Sequence, residues 1–393
     1  MFFLKKRVLI RAPLFTVSGY GVHARQIFEW AISRSDYDVY VQPLQWGVTP
    51  WLINPDDKDG LVGEIMKRMV DPGNSQKFDI TFQVQLPNEW DPSLGSFNVG
   101  ITAAVETDIC NKSWIHACNK MDAIIVPSNH TKHVLTDSGV TLEKPIFVVP
   151  ESYHCSIDKS DCNIDIDLNT DFNFLVFGQI TGNNPENDRK NLFYTIKWLC
   201  EEFKHDSNVG IVVKTNSGRA TKIDRNSTTR LFANLLTQVR GKNLFPKVYL
   251  LHGNMNEDEV AALYRNDKIK ALVSLTRGEG FGLPLLEAAA SGLPVIATGW
   301  SGHTDFMNHG KYISIDPKLT PIHKSRVDEK IFVQGAKWAE VSEAEVKSKL
   351  RKFYDKPALP QQWAKDLAVV IKEKYNIDAI KQNFNSVMSE LKC

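Results

Sequence analysis

Two glutamates, Glu279 and Glu287, stand eight positions apart in the run Arg277-Gly278-Glu279-Gly280-Phe281-Gly282-Leu283-Pro284-Leu285-Leu286-Glu287. The residues before it, 270–275, are apolar and β-prone and read as a buried strand. Pro284 suits the first position of a helix, where a missing N–H costs nothing. Leu285, Leu286, Ala288, Ala289 and Ala290 continue that helix with a small, close-packing face, and Gly292 ends it before the next strand at 294–298. A glycine-rich turn from strand to helix offers unpaired backbone N–H groups at the positive end of a dipole, which together hold phosphate. Gly280, Phe281, Gly282 and Leu283 line this turn. Glu287, expected in the first turn of the helix, can accept two hydrogen bonds from a vicinal diol. Glu279 is expected to be free to reach a second hydroxylated group. Phosphate, diol and diol together describe a nucleotide sugar. An ordinary strand, turn and helix with solvated glutamates is the plainer alternative.

The string from Glu279 to Glu287, continued by Ala288-Ala289-Ala290-Ser291-Gly292-Leu293-Pro294-Val295-Ile296-Ala297, resembles the Glu-x7-Glu signature of the retaining family 4 glycosyltransferases. The resemblance covers most of the chain. It implies an α/β protein of the GT-B fold, with two Rossmann-like, doubly wound parallel-sheet domains facing a central cleft. It also implies that Glu287 holds the donor ribose and that Glu279 contacts the donor sugar as a catalytic residue.

Other pieces join through the same resemblance. Phe177-Gly178-Gln179, followed by Asp188-Arg189-Lys190-Asn191-Leu192, is similar to the family's phosphate-gripping segment. Lys190 and Arg189 there would offset the diphosphate charge and stabilise the leaving group. Gln179 stands where the family often has arginine, so the second cation falls to Arg189. Lys214, at the end of the following strand, is a third candidate cation, with simple surface exposure as the alternative. His252-Gly253-Asn254-Met255 resembles the place where the family cradles the base. Glu106 follows the strand at 97–103 and would face the donor sugar or the acceptor; a capping or surface glutamate is the alternative. Gly299-Trp300-Ser301-Gly302-His303-Thr304-Asp305 would close over the cleft, with no firm role for His303 or Asp305.

Ser18-Gly19-Tyr20-Gly21 follows the first strand, and Gly19 and Gly21 would let the backbone approach the donor diphosphate and the acceptor. A tight turn needing positive φ is the structural alternative for Gly21. Gly19-x-Gly21-x-x-Ala24 also fits a loose dinucleotide fingerprint. That fingerprint wants an acid at the end of the second strand. Here Gln42, Pro43 and Leu44 stand at that end, and Asp36 and Asp38 lie at its start.

The elements that must place these residues recur with one rhythm. Buried-type strands read at 7–12, 38–44, 78–84, 97–103, 123–127 and 145–149, then at 172–179, 209–215, 247–251, 271–276, 295–298 and 312–316. Helical patterns lie between several of them, which argues for parallel sheets covered on both faces. The polar segment 152–171 reads as a linker. The boundaries expected are 1–155 for an acceptor-side domain and 168–376 for a nucleotide-sugar-binding domain. The tail at 361–392 reads as two amphipathic helices broken near Asn376, and the resemblance implies that the last, about 377–393, packs back on the first domain.

Composition sets the outer bounds. The 393 residues suffice for two cores. Lys and Arg number 47 against 46 Asp and Glu, so no global field favours nucleic acid. Six scattered cysteines without metal spacing, and an opening that does not read as a secretory signal, point to reduced thiols in the cytoplasm. No apolar run approaches the ~18 residues of a membrane span, though peripheral membrane contact is left open. The Asp-x-Asp pairs at Asp165/Asp167 and Asp36/Asp38 are read as chance, so neither metal nor cofactor is expected. The expected reaction is retaining transfer of a hexose from a UDP- or GDP-sugar to a sugar, lipid-linked or other hydroxyl acceptor. A non-catalytic nucleotide-sugar-binding or partner subunit and a sugar-nucleotide epimerase are the rivals.

Overall fold

A computed structural model of the chain describes residues 5–71, 77–182, 184–241 and 243–392. The chain divides into two units. The first comprises Met1–Ser152, Glu329–Val333 and Ile377–Cys393; the second comprises Tyr153–Asp328 and Gln334–Asn376.

The first unit is built on strands β1 (Lys6–Ala12), β2 (Tyr37–Pro43), β3 (Phe78–Val84), β4 (Gly95–Ile101), β5 (Ala123–Val126) and β6 (Ile146–Val148). They form one wholly parallel sheet in the order β2-β1-β3-β4-β5-β6. Val8, Leu9 and Ile10 of β1 and all four residues of β5 are buried, as strands covered on both faces require. The helix Gly19–Ser33 starts where the Ser18 side chain accepts from the Gly21 N–H at 3.0 Å. It sinks Ala24, Ile27, Phe28 and Ala31 into the core. Ile380, Phe384, Val387 and Met388 of the helix Ile377–Glu390 fill the same core. Trp30 stacks on Phe384 with ring centroids 4.9 Å apart and donates its Nε1–H to Asn385 Oδ1 at 2.8 Å.

The second unit contains β7 (Phe172–Phe177), β8 (Val209–Thr215), β9 (Lys247–His252), β10 (Ile269–Ser274), β11 (Val295–Thr298) and β12 (Ile313–Ile315). Their parallel sheet runs β12-β11-β10-β7-β8-β9. The chain works outward from β7 to β9, returns to the other side of β7 as β10, and works outward again. The strand order therefore reverses between β7 and β10. In open sheets of this kind ligands bind beyond the carboxyl ends of the strands at the reversal.

Several expectations are corrected in detail. The strand read at 97–103 is β4, which ends at Ile101, so four residues separate it from Glu106. The strand read at 172–179 ends at Phe177, which leaves Gln179 exposed beyond it. In the stretch read as a linker, Tyr153, Ile157 and Leu168 are buried in the second unit's core. An antiparallel ribbon of β13 (Pro317–Pro321) and β14 (Lys337–Val341) was not expected. Neither was the helix Lys222–Arg240, opened by a Thr221/Asp224 capping box. No described helix is long and apolar enough to cross a membrane.

Phe384 is 1% exposed and shared by the Trp30 stack and the core. Phe384→Ala should destabilise the first unit by about 3–5 kcal/mol, the usual cost of emptying an aromatic site. Urea unfolding followed by the loss of Trp30 burial checks this, with a surface alanine substitution in the same helix as the control.

Candidate functional site

Because the second sheet is parallel, the carboxyl ends of β10, β7, β8 and β9 lie side by side, and each delivers a candidate residue. Gln179, Arg189 and Lys190 follow β7; Lys214 is in β8; Asn254 and Met255 follow β9; Glu279, Gly280, Phe281, Gly282 and Leu283 follow β10. Glu287 stands on the helix Leu283–Ala290 that the β10 loop opens. Glu287 is the fifth residue of that helix, past the first turn where it was expected. The cause is the start of the helix. Gly282, at φ +102°, takes the N-cap, and Pro284 falls on the second helical position. An L side chain at residue 282 would be strained, and glycine alone adopts this conformation cheaply. Among the described residues the amides of Gly282 and Leu283 have no acceptor, as the first groups of a helix do not.

Glu279 is not free, as it was expected to be. It is 5% exposed. Lys190 Nζ donates to its Oε1 at 2.6 Å and its Oε2 at 2.8 Å. Arg189 Nη1 reaches Oε2 at 3.5 Å and donates to the Gly278 carbonyl at 2.7 Å. Burial pushes the Glu279 carboxyl up. The charges of Lys190 and Arg189 and the Lys190 hydrogen bonds together outweigh burial and hold it at about 2.

The loop after β11 fixes the Glu279 backbone on both sides. The Glu279 N–H donates to Ser301 Oγ at 2.9 Å, and the Gly302 N–H donates to the Glu279 carbonyl at 2.9 Å. Ser301 adopts φ +88° to do this. His303, fully buried, lies with Nε2 2.7 Å from the Thr298 carbonyl and Nδ1 3.4 Å from Ser301 Oγ. The carbonyl can only accept, so Nε2 carries the proton and Nδ1 is left as the acceptor. Burial lowers the pKa of His303 and keeps the ring neutral. The sequence singled out this loop without a role for His303; its role here is to orient the support of Glu279.

Glu287 has different company. Tyr264 Oη donates to Oε2 at 3.3 Å, and His154 Nε2 lies 3.8 Å from Oε1. Neither neighbour was anticipated, although Tyr264 reads as an inner-face residue of its helix. Lys214 is buried rather than exposed and donates to the Gly253 carbonyl. Burial brings its pKa down to about 8, against the opposing charge of Glu259. Asn254 is exposed and accepts from Asn216 Nδ2 at 3.1 Å, while Met255 is half-buried against the core.

Gly19, Gly21 and Glu106 belong to the first unit. Gly19 is exposed with open space around its Cα. Gly21 has no positive φ; it is required because a Cβ there would lie 2.1 Å from the Thr16 carbonyl oxygen. Tyr20, between them, accepts from the Ala103 N–H at 3.0 Å and pairs with Thr102 Oγ1 at 2.9 Å. Burial raises the Tyr20 pKa, and the nearby carboxylates of Glu106 and Glu151 act in the same direction. Glu106 itself is half-buried.

The depressed Glu279 carboxyl has a consequence for stability. A group whose folded pKa lies below its ordinary value of 4.5 contributes stability above that value. The contribution is lost as pH falls from about 4.5 toward about 2. Unfolding free energy should therefore fall more steeply over this window in the wild type than in Glu279→Gln, by on the order of 3 kcal/mol. Urea titrations at a series of pH values measure the difference.

Comparison with known proteins agrees with this geometry. Residues 233–323, which contain Glu279, Glu287, Ser301 and His303, match the family model described as Glycosyl transferases group 1. A sucrose synthase of Melioribacter roseus is 27% identical over 177 residues, which are 42% of this chain and 21% of that protein. The chain thus covers about a fifth of that relative's length. Among solved structures, a glycosyltransferase from Rickettsia africae has a TM-score of 0.66 at 15% identity over 98% of both chains. A UDP-forming α,α-trehalose-phosphate synthase from Burkholderia xenovorans has a TM-score of 0.64 at 9% identity, over 99% of this chain and 100% of that one. The two parallel sheets share the GT-B fold of these structures, and the segment 233–323 is similar to the glycosyltransferase group 1 model.

Proposed function

We propose that the chain is a glycosyltransferase that moves a hexose, with retention, from a nucleoside-diphosphate sugar to a hydroxyl acceptor. The observation that carries this reading is the Lys190–Glu279 pair, part-buried beyond the point where the strand order reverses between β7 and β10. Two cations converge there on one carboxylate, beside the unpaired amides of Gly282 and Leu283. Such a set suits a diphosphate without calling on a metal ion. Glu287, oriented by Tyr264, takes the ribose diol, and Glu279 takes a hydroxyl of the transferred sugar. Lys190 and Arg189 stabilise the charge that grows on the departing diphosphate. Retention follows from attack on the face that the diphosphate leaves, with that phosphate receiving the acceptor's proton. The first unit takes the acceptor near Gly19 and Glu106. The UDP-forming synthase among the structural neighbours makes UDP the first base to test, with GDP the second. Among the described residues Cys110, Cys118, Cys155, Cys162 and Cys200 form no disulfide, which suits a cytoplasmic setting.

A thermal-shift panel of UDP, GDP, ADP, their common sugar conjugates and NAD, with and without EDTA, tests the reading. Stabilisation by one nucleoside diphosphate that survives EDTA supports it. A shift with NAD alone would sink it. In the same assay family, Glu287→Ala and Lys190→Ala should each weaken binding of that nucleotide by roughly tenfold to a hundredfold, the loss of one charge-assisted contact. The affinity should also fall above about pH 8, where Lys214 loses its proton in the free protein. Lys214→Met should bind more weakly at neutral pH and lose that part of the pH dependence; isothermal titration between pH 7 and pH 9.5 reads both.

A further inference from the structure

Arg277 is 1% exposed and engaged on every side. Its Nη1 donates to the carbonyls of Pro185 at 2.7 Å and Asp188 at 2.8 Å. Its Nε and Nη2 donate to the two carboxylate oxygens of Glu340, at 2.6 and 3.3 Å. The guanidinium lies 5.1 Å from the centre of the Trp338 ring. Its backbone N–H donates to the Arg189 carbonyl at 2.8 Å, and its own carbonyl accepts from the Ala339 N–H at 2.9 Å. Arg277 thus joins two pieces of chain. One is the segment 185–189, which leads directly into Lys190. The other is β14.

A guanidinium buried this deeply needs a carboxylate, and a planar fork meets two oxygens best. Glu340 supplies them from β14, the strand of the ribbon that lies outside the matched segment 233–323. The loop enclosed by the ribbon adds contacts to the same region. Asn187 Nδ2 donates to Ser325 Oγ at 3.0 Å, and Arg326 Nη1 donates to the Thr181 carbonyl at 3.1 Å. Asp188 completes the set by accepting from the Thr181 and Leu192 amides, at 2.9 and 2.8 Å. The backbone that presents Arg189 and Lys190 is therefore gripped by Arg277, and Arg277 is held by Glu340.

We propose that Glu340, acting through Arg277, is a positioning residue for the Arg189–Lys190 cation pair, and sets how tightly the site takes a nucleoside diphosphate. The proposal rests on the reading of this site as a nucleotide-sugar site. Its partner residues in the chain are 63 positions apart, and its effect is expressed only through Lys190 and Arg189.

The test is a double-mutant cycle on the full chain. Wild type, Glu340→Gln, Lys190→Ala and the double variant are titrated calorimetrically with UDP, GDP and ADP. Glu340→Gln should weaken the tightest of these by roughly tenfold in the wild-type background and by less than about twofold in the Lys190→Ala background, the signature of coupled residues. Glu340→Asp, which keeps the charge on a shorter arm, should fall between and is the variant to use should Glu340→Gln not fold. Unchanged affinity in the Glu340 variants overturns the proposal. Equal weakening in both backgrounds also overturns it, since a general loss of structure does not depend on Lys190. A wild type that binds none of the three diphosphates overturns the functional reading first, and the proposal with it.

Discussion

The ion pair between Lys190 and Glu279 is the constraint around which the second unit's loops are arranged. The partners are 89 positions apart in sequence and 2.6 Å apart in space. Burying the Glu279 charge, and Lys190 in part with it, costs free energy that their attraction offsets only when the geometry is good and the other polar atoms are satisfied. The surroundings meet those terms. Both Glu279 oxygens are bonded, the Glu279 backbone is gripped by Ser301 and Gly302, and the cation-bearing segment is bonded to Arg277. Apolar packing of equal volume would stabilise the fold at least as well. The pair stands at the carboxyl ends of β7 and β10, where the proposed function places the ligand.

The sheet topology makes that placement possible. Parallel strands put all their outgoing loops on one edge, and the reversal of order between β7 and β10 leaves those two loops diverging from adjacent strands. The β7 loop brings cations and the β10 loop brings a carboxylate and unpaired amides. The β11 loop then closes from beneath through Ser301, whose left-handed backbone carries a strain that the surrounding bonds must offset. Each loop alone would be a flexible, charged segment. Held by one another, they form a fixed site.

Much of this was legible in the sequence and some was not. All twelve strands of the two parallel sheets were readable, because strands buried on both faces are short apolar runs bounded by turn residues. The β10 loop was readable because its glycines, proline and glutamates are contiguous. The Lys190–Glu279 pair was not, because nothing local in either segment specifies a partner so distant. Glu279 accordingly read as free when it is the most constrained carboxylate of the site. The ribbon was missed for a different reason. Pro317 and Pro321 bound β13, which is almost wholly exposed, so it carries neither alternation nor an apolar run. Arg277 could be quoted from the sequence but given no role, since its meaning comes from Glu340 on that unread ribbon.

The two glutamates, Glu279 and Glu287, end in different environments. Glu279 is bonded by cations and held at about 2, so it is ionised at neutral pH. Its fixed charge keeps Lys190 in place. Glu287 is 14% exposed at its side chain and is met by a tyrosine hydroxyl and a histidine. A carboxylate that accepts from a tyrosine hydroxyl keeps acceptor capacity for other hydroxyl groups. The two carboxylates thus differ in their partners, cations for Glu279 and a tyrosine hydroxyl for Glu287. The division follows from the helix start. With Gly282 as N-cap, Glu287 moves beyond the first turn toward Tyr264, while Glu279 stays on the loop within reach of Lys190.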